Sequence, residues 1–175
     1  ILSLFRNAGY TPDYEIVDDA QTMREALSKG GWDLVLSDHN MPGFNAVSAL
    51  NILQELQLDI PFIIVSGAIN EETAVAAMRA GAHDYLSKNK LERLLPAVKR
   101  ELREADIRAE RRAALKAVRE SEARFRALAA NIPGMVFQLQ RRMDNSLAFL
   151  YASEGCQALL GLSPAQLLAA PHLFP

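Results

Sequence analysis

The chain has 175 residues, half of them hydrophobic and 23% charged, with a formal net charge of −2; this balance describes a globular protein and argues against a strongly basic nucleic-acid binder. The length suffices for one ordinary domain and part of another, or for two small ones, and Cys156, the single cysteine, excludes an intrachain disulfide. No apolar run approaches the roughly 20 residues that cross a bilayer, and the N-terminus lacks a basic-then-apolar secretion pattern, so no membrane contact and a cytoplasmic location are expected.

Residues 1–8, with Ile1, Leu2, Leu4 and Phe5 apolar among polar neighbours, read as the last turns of an amphipathic helix that Gly9 stops. Short apolar runs then alternate with helical stretches: Tyr14–Val17, Ala20–Ser28, Asp33–Leu36, Ala46–Leu56, Pro61–Val65, Glu71–Ala80 and His83–Leu86. Strict alternation of strand and helix predicts an α/β fold with right-handed crossovers and a doubly wound parallel sheet. Leu34–Leu36 and Phe62–Val65 are apolar throughout, as strands covered on both faces are.

From Pro96 to about Ala130 the pattern is helical and densely charged with both signs. At about 1.5 Å per residue such a helix spans roughly 50 Å, more than a helix that merely packs on a small sheet. Val98, Leu102, Ala105 and Ala109 form a heptad-like seam, and Leu115, Val118, Glu122 and Phe125 resume it in a shifted phase. A coiled coil with a local break in register is one reading; a solvated single helix is the other. Past Asn131, Met135–Gln140 and Leu147–Tyr151 read as two strands turning at Asp144 and Asn145. Short helices follow over Glu154–Leu160 and, after a Ser163-Pro164 start, Ala165–Ala169.

In an open parallel sheet, ligands bind beyond the carboxyl ends of the strands. That rule singles out Asp38, then Ser66 with Gly67, then Lys88. A carboxylate, a hydroxyl and an ammonium converging there are what phosphoryl transfer to a side chain requires: the carboxylate attacks, and the other two hold oxygens onto which charge moves. A divalent cation, normally magnesium, would neutralise the rest. His39 and His83 lack a second ligand at metal spacing and read as a loop and a strand-start histidine, while Trp32 and Phe44 read as packing residues and Arg111-Arg112 as a solvated helix face.

The run Leu34-Val35-Leu36-Ser37-Asp38-His39-Asn40-Met41-Pro42-Gly43 resembles the phosphorylation loop of response-regulator receiver domains. Ile63-Ile64-Val65-Ser66-Gly67 is similar to the family's switch-hydroxyl strand, and Gly81-Ala82-His83-Asp84-Tyr85-Leu86-Ser87-Lys88 to its final strand. Over residues 1–95 the resemblance implies a flavodoxin-like receiver. In it Asp38 is the phosphoacceptor and a metal ligand, the carbonyl of Asn40 a second ligand of Mg2+, Ser66 the switch hydroxyl, Tyr85 the switch aromatic and Lys88 the phosphate-binding lysine. A histidine kinase or phosphotransfer protein would be the partner.

Two departures stand out. Asn89 occupies the place after the lysine where receivers usually carry proline. The family's first strand ends in an acidic pair, but Asp18-Asp19 lies 19 positions before Asp38, room for one helix and one strand where the family has two of each. Asp19 or its neighbour is therefore expected to cap the next helix, and the first strand to lie upstream of residue 1 or to be missing. The expectation is an excerpt cut at both ends.

Residues 96–130 are expected to be a signalling helix that dimerises. Ser121-Glu122 to Gly134 resembles the lead-in of a PAS domain, so that residues 131–175 are the N-terminal part of an α+β PAS-like domain, in which Cys156 is a small core residue. The expected function is a phospho-accepting receiver relaying through the helix to a PAS-linked output. Two alternatives stay open: a degenerate receiver serving as a dimerisation scaffold, and the regulatory part of a diguanylate cyclase, cyclic-dinucleotide phosphodiesterase or hybrid histidine kinase, although residues 1–175 carry no such catalytic motif.

Overall fold

The computed structural model describes residues 1–39, 41, 43–67 and 71–171, in two compact units, Ile1–Glu110 and Arg111–Pro175. The first unit opens with helix α1, Leu2–Asn7, which ends as expected at Gly9: at φ 83° this residue donates its N–H to Arg6 O, and Tyr10 donates to Phe5 O, each at 3.0 Å. Then come α2 (Ala20–Ser28), β1 (Val35–Asp38), α3 (Ala46–Glu55), β2 (Phe62–Ser66), α4 (Glu71–Arg79) and β3 (Asp84–Ser87). A 3-10 turn over Lys88–Arg93 leads into α5, Leu94–Asn131.

Among the described residues the sheet is β1-β2-β3, parallel throughout. All of β2 is buried, and its alternation divides the core in two. Phe62 and Ile64 pack with Met23, Leu27, Leu50, Leu53 and Ala77 from α2, α3 and α4. Ile63 and Val65 pack on the opposite face with Leu86, Leu94, Ala97 and Val98, joined by Leu4 and Phe5 of α1. Helices thus cover both faces, as the alternation of elements predicts. Phe44 lies within the first cluster and Trp32 packs against it, donating Nε1–H to Ala26 O at 2.7 Å.

Two expectations are corrected. Tyr14–Val17 is not a strand: it pairs with nothing in the sheet, Ile16 is 83% exposed, and only Val17 of its apolar residues packs on the core. Alternating hydrophobicity prepares a segment for a sheet, but a strand exists only where a neighbouring backbone takes its hydrogen bonds. The heptad seam is also divided. Val98 is buried in this unit's own core and Leu102 packs against it, so both are engaged by the sheet, while Leu115, Val118 and Phe125 are each about half exposed. Further along α5, Arg108 grips Asp59, the residue two before Pro61, with Nη2 to Oδ1 at 2.9 Å and Nε to Oδ2 at 3.1 Å.

The second unit holds the C-terminal part of α5, an antiparallel pair β4 (Phe137–Arg141) and β5 (Leu147–Ala152), and helices α6 (Gly155–Leu160) and α7 (Pro164–Ala169). The turn falls where expected. Asn145 sits at φ 67°, and the Asp144 carboxylate accepts the Ser146 N–H at 2.9 Å. Phe149, Ala152, Cys156 and Leu167 form its core, with Cys156 fully buried as a packing residue. Ser163 caps α7 in a capping box with Gln166. Among the described residues no helix is long and apolar enough to cross a membrane.

Candidate functional site

Parallel register sets the carboxyl ends of the three strands in one row: Asp38 pairs with Val65 and Val65 with Leu86, and Ser66 pairs with Ser87. Asp38 is the last residue of β1, Ser66 the last of β2, and Lys88 the first beyond β3. The residues that a sheet-edge argument selects from the sequence are therefore neighbours in space.

Asp38 and Lys88 are in direct contact, Lys88 Nζ donating to Asp38 Oδ2. To reach it the lysine crosses the end of β2. A Cβ placed on Gly67 would lie 3.9 Å from Lys88 Cδ, so the aliphatic stem runs over that glycine at van der Waals distance. Both groups keep contact with water, with side chains 33% and 47% exposed. Ser66 is buried, 3% exposed. The turn that carries Lys88 starts at Ser87, whose Oγ accepts the Asn89 N–H at 3.1 Å. A proline at position 89 has no N–H to give, so the departure from the family pattern supplies the hydrogen bond that starts this turn.

Tyr85 lies two residues before the end of β3, half-buried against the first core cluster. Its ring meets that of His39 edge to face, with centroids 5.9 Å apart at 64°. The Nδ1 atom of His39 is buried and makes no hydrogen bond among the described residues. This contact was not legible in the sequence, where His39 reads as a loop residue; its single signal there is adjacency to Asp38. The carbonyl expected of Asn40 as a metal ligand lies outside the described residues.

Asp19 does what its spacing implies. It is the N-cap of α2, its Oδ1 accepting the Thr22 N–H at 2.8 Å and the Thr22 hydroxyl at 3.0 Å. The backbone N–H bond, with the hydroxyl bond behind it, holds this carboxyl below the usual carboxylate range. Among the described residues no group of three or more His, Cys, Asp or Glu is placed to hold a metal. For magnesium the Asp38 carboxylate is the right kind of donor, a hard oxygen. In number the described donors fall short. His83 serves the sheet: Nδ1 accepts the Phe62 N–H at 3.1 Å, and its own N–H donates to Phe62 O at 2.8 Å.

Residues 1–99 match the family described as the response regulator receiver domain. The chain belongs to the response-regulator receiver family. This receiver is 34% identical over 137 residues to the C4-dicarboxylate transport transcriptional regulatory protein DctD of Pseudomonas aeruginosa, an alignment covering 78% of this chain and 29% of that protein. It is 31% identical over 136 residues to the transcriptional regulatory protein FixJ of Bradyrhizobium diazoefficiens, covering 77% of this chain and 62% of FixJ. The chain thus spans less than two thirds of either relative. Among solved structures, full-length FixJ from B. japonicum superposes with a TM-score of 0.55 at 29% identity, covering 68% of this chain and 58% of that one. The receiver domain of NtrX from Brucella abortus gives 0.52 at 27% identity, covering 58% and 86%. Receivers of two-component systems interact with histidine kinases or phosphotransfer proteins, and generally bind Mg2+ where they are phosphorylated.

Proposed function

We propose that this receiver accepts a phosphoryl group on Asp38 from a histidine kinase or phosphotransfer protein and relays the change along α5 to a PAS-linked output. The contact between Lys88 and Asp38 carries this reading. In the transfer a carboxylate oxygen of Asp38 attacks the phosphorus of a phosphohistidine. The P–O bond forms as the P–N bond breaks, and the electron pair leaves with the donor imidazole, which takes a proton from solvent. The Lys88 ammonium, already beside the carboxylate, follows the negative charge onto a phosphoryl oxygen, and the Ser66 hydroxyl donates to another. Asp38 and the carbonyl of Asn40 are the oxygen donors assigned to Mg2+; when bound, the ion neutralises phosphoryl charge.

The signal then passes through Ser66 and Tyr85 to residues 96–130, a local charge event biasing a two-state element. In this reading the helix pairs with that of a second copy through the half-exposed Leu115, Val118 and Phe125, residues 131–175 begin a PAS-like domain, and the protein works in the cytoplasm. The regulatory activity of DctD or FixJ is not carried over, because the chain matches only part of each.

A second reading, a degenerate receiver acting as a dimerisation scaffold, draws on Asp19, whose carboxylate is engaged as a helix cap. One experiment separates the two. Beryllofluoride or acetyl-phosphate modification of the full-length protein is measured with and without magnesium, for wild type and Asp38→Asn. Magnesium-dependent modification that disappears in the variant supports the acceptor, whereas labelling that persists in Asp38→Asn removes Asp38 from the role. No modification of either protein leaves the scaffold.

A further inference from the structure

His39 follows the acceptor carboxylate directly, and the fold sets it against Tyr85 of the proposed switch. The ladder ends where Asp38 pairs with Val65, and His39 follows it as a bend; alternation along the strand puts position 39 on the face of Ser37, the face that bears Ile64 and Tyr85. The His39 and Tyr85 rings touch edge to face at 5.9 Å. Yet Nδ1 of His39 is buried and unpaired among the described residues, in contrast to His83, whose Nδ1 accepts a backbone N–H. Neutral imidazole must donate at one nitrogen and accept at the other. Burying either without a partner raises the energy of the state that does so.

We propose that His39 is a positioning residue of the phosphorylation switch. Its ring holds Tyr85 in the resting arrangement, and the unpaired nitrogen weakens that hold, leaving the resting and switched arrangements close in energy. Phosphorylation of Asp38 then moves the balance, since a ligand shifts a two-state equilibrium by its differential interaction with the two states. The coupling rests on the reading of Asp38 as the acceptor. Two opposed effects sit in one side chain: the ring contact favours the resting state and the buried nitrogen disfavours it.

Substitution separates them. In the full-length protein with ring-labelled tyrosine, the Tyr85 resonance is assigned by its loss in Tyr85→Phe and followed during a beryllofluoride titration. His39→Phe keeps an aromatic contact and removes the unpaired nitrogen, so the titration midpoint is expected to rise roughly tenfold. His39→Ala removes the contact together with the nitrogen, so the Tyr85 resonance of the unmodified protein moves toward its modified position and the midpoint lies below that of His39→Phe, from which it differs by the loss of the ring. A general loss of structure would move both variants the same way. Midpoints within twofold of wild type in both variants, with Tyr85 unmoved, overturn the coupling and leave the acceptor standing. A wild-type protein that takes no beryllofluoride at Asp38 overturns the acceptor reading and the coupling with it.

Discussion

Lys88 reaches over Gly67 to place its ammonium on the carboxylate of Asp38, a residue 50 positions earlier in the chain. The pair is half open to water, where an ion pair contributes little to stability, about 0–1 kcal/mol. A positive charge held in advance beside a nucleophile matters far more where charge develops during a reaction. Lys88→Met is therefore expected to slow acetyl-phosphate modification of Asp38 by about 100- to 1,000-fold while changing unfolding stability by no more than about 1 kcal/mol. Rate measurement beside a urea melt checks both halves; a large stability loss with an unchanged rate would make the lysine structural.

Asp19 carries a pH signature. Its carboxyl is held below the ordinary range by the Thr22 N–H, then by the Thr22 hydroxyl. A group whose folded pKa is depressed contributes its stability above the unfolded value of about 3.9 and loses it as the pH falls through the folded value. Asp19→Ala is expected to lower Tm at pH 7 and to show a shallower further loss on acidification. Asp19→Asn, which caps nearly as well, should hold Tm at pH 7 and lack that part of the acid slope. Thermal melts at pH 7 and 3 decide. Beryllofluoride uptake by Asp19→Ala should match wild type, since a cap does not touch the transferred group; loss of uptake would return Asp19 to the metal site.

His83 and Phe62 exchange two hydrogen bonds at the start of β2 and β3. Because Phe62 is fully buried, His83→Leu leaves its N–H without a partner and should cost about 1–3 kcal/mol. Native-state hydrogen exchange offers the sharper test: the Phe62 amide should exchange faster while the amides of α2 keep their protection.

Val98 and Leu115 fall on the same expected seam but have different neighbours. Val98, 4% exposed among Ile63, Val65 and Leu86, should cost about 2 kcal/mol when cut to alanine, at any protein concentration. Leu115, 51% exposed, should show its effect in Leu115→Glu as a weaker self-association by sedimentation, with the receiver's own melt unchanged. Equal sedimentation of wild type and variant would exclude Leu115 from a dimer seam.

Features that depend on adjacent residues were legible in the sequence. The stop at Gly9, the cap at Asp19, the Asp144-Asn145 turn and the Ser163-Pro164 helix start all involve partners within about five positions of each other. The row of Asp38, Ser66 and Lys88 was legible for a different reason: each ends a strand or directly follows one, and parallel strands align their ends whatever the loops between them do. Tyr14–Val17 has the pattern of a strand, but pattern concerns side chains and a ladder concerns the neighbouring backbone. The spacing of Val98 and Leu102 could not say whether their partner was a second helix or their own sheet, because an apolar stripe fits either surface. The edge-to-face contact of His39 with Tyr85 and the passage of Lys88 over Gly67 join residues far apart in the chain. Packing alone settles contacts of that kind, since a side chain's neighbours are whatever the folded backbone brings within a few ångströms.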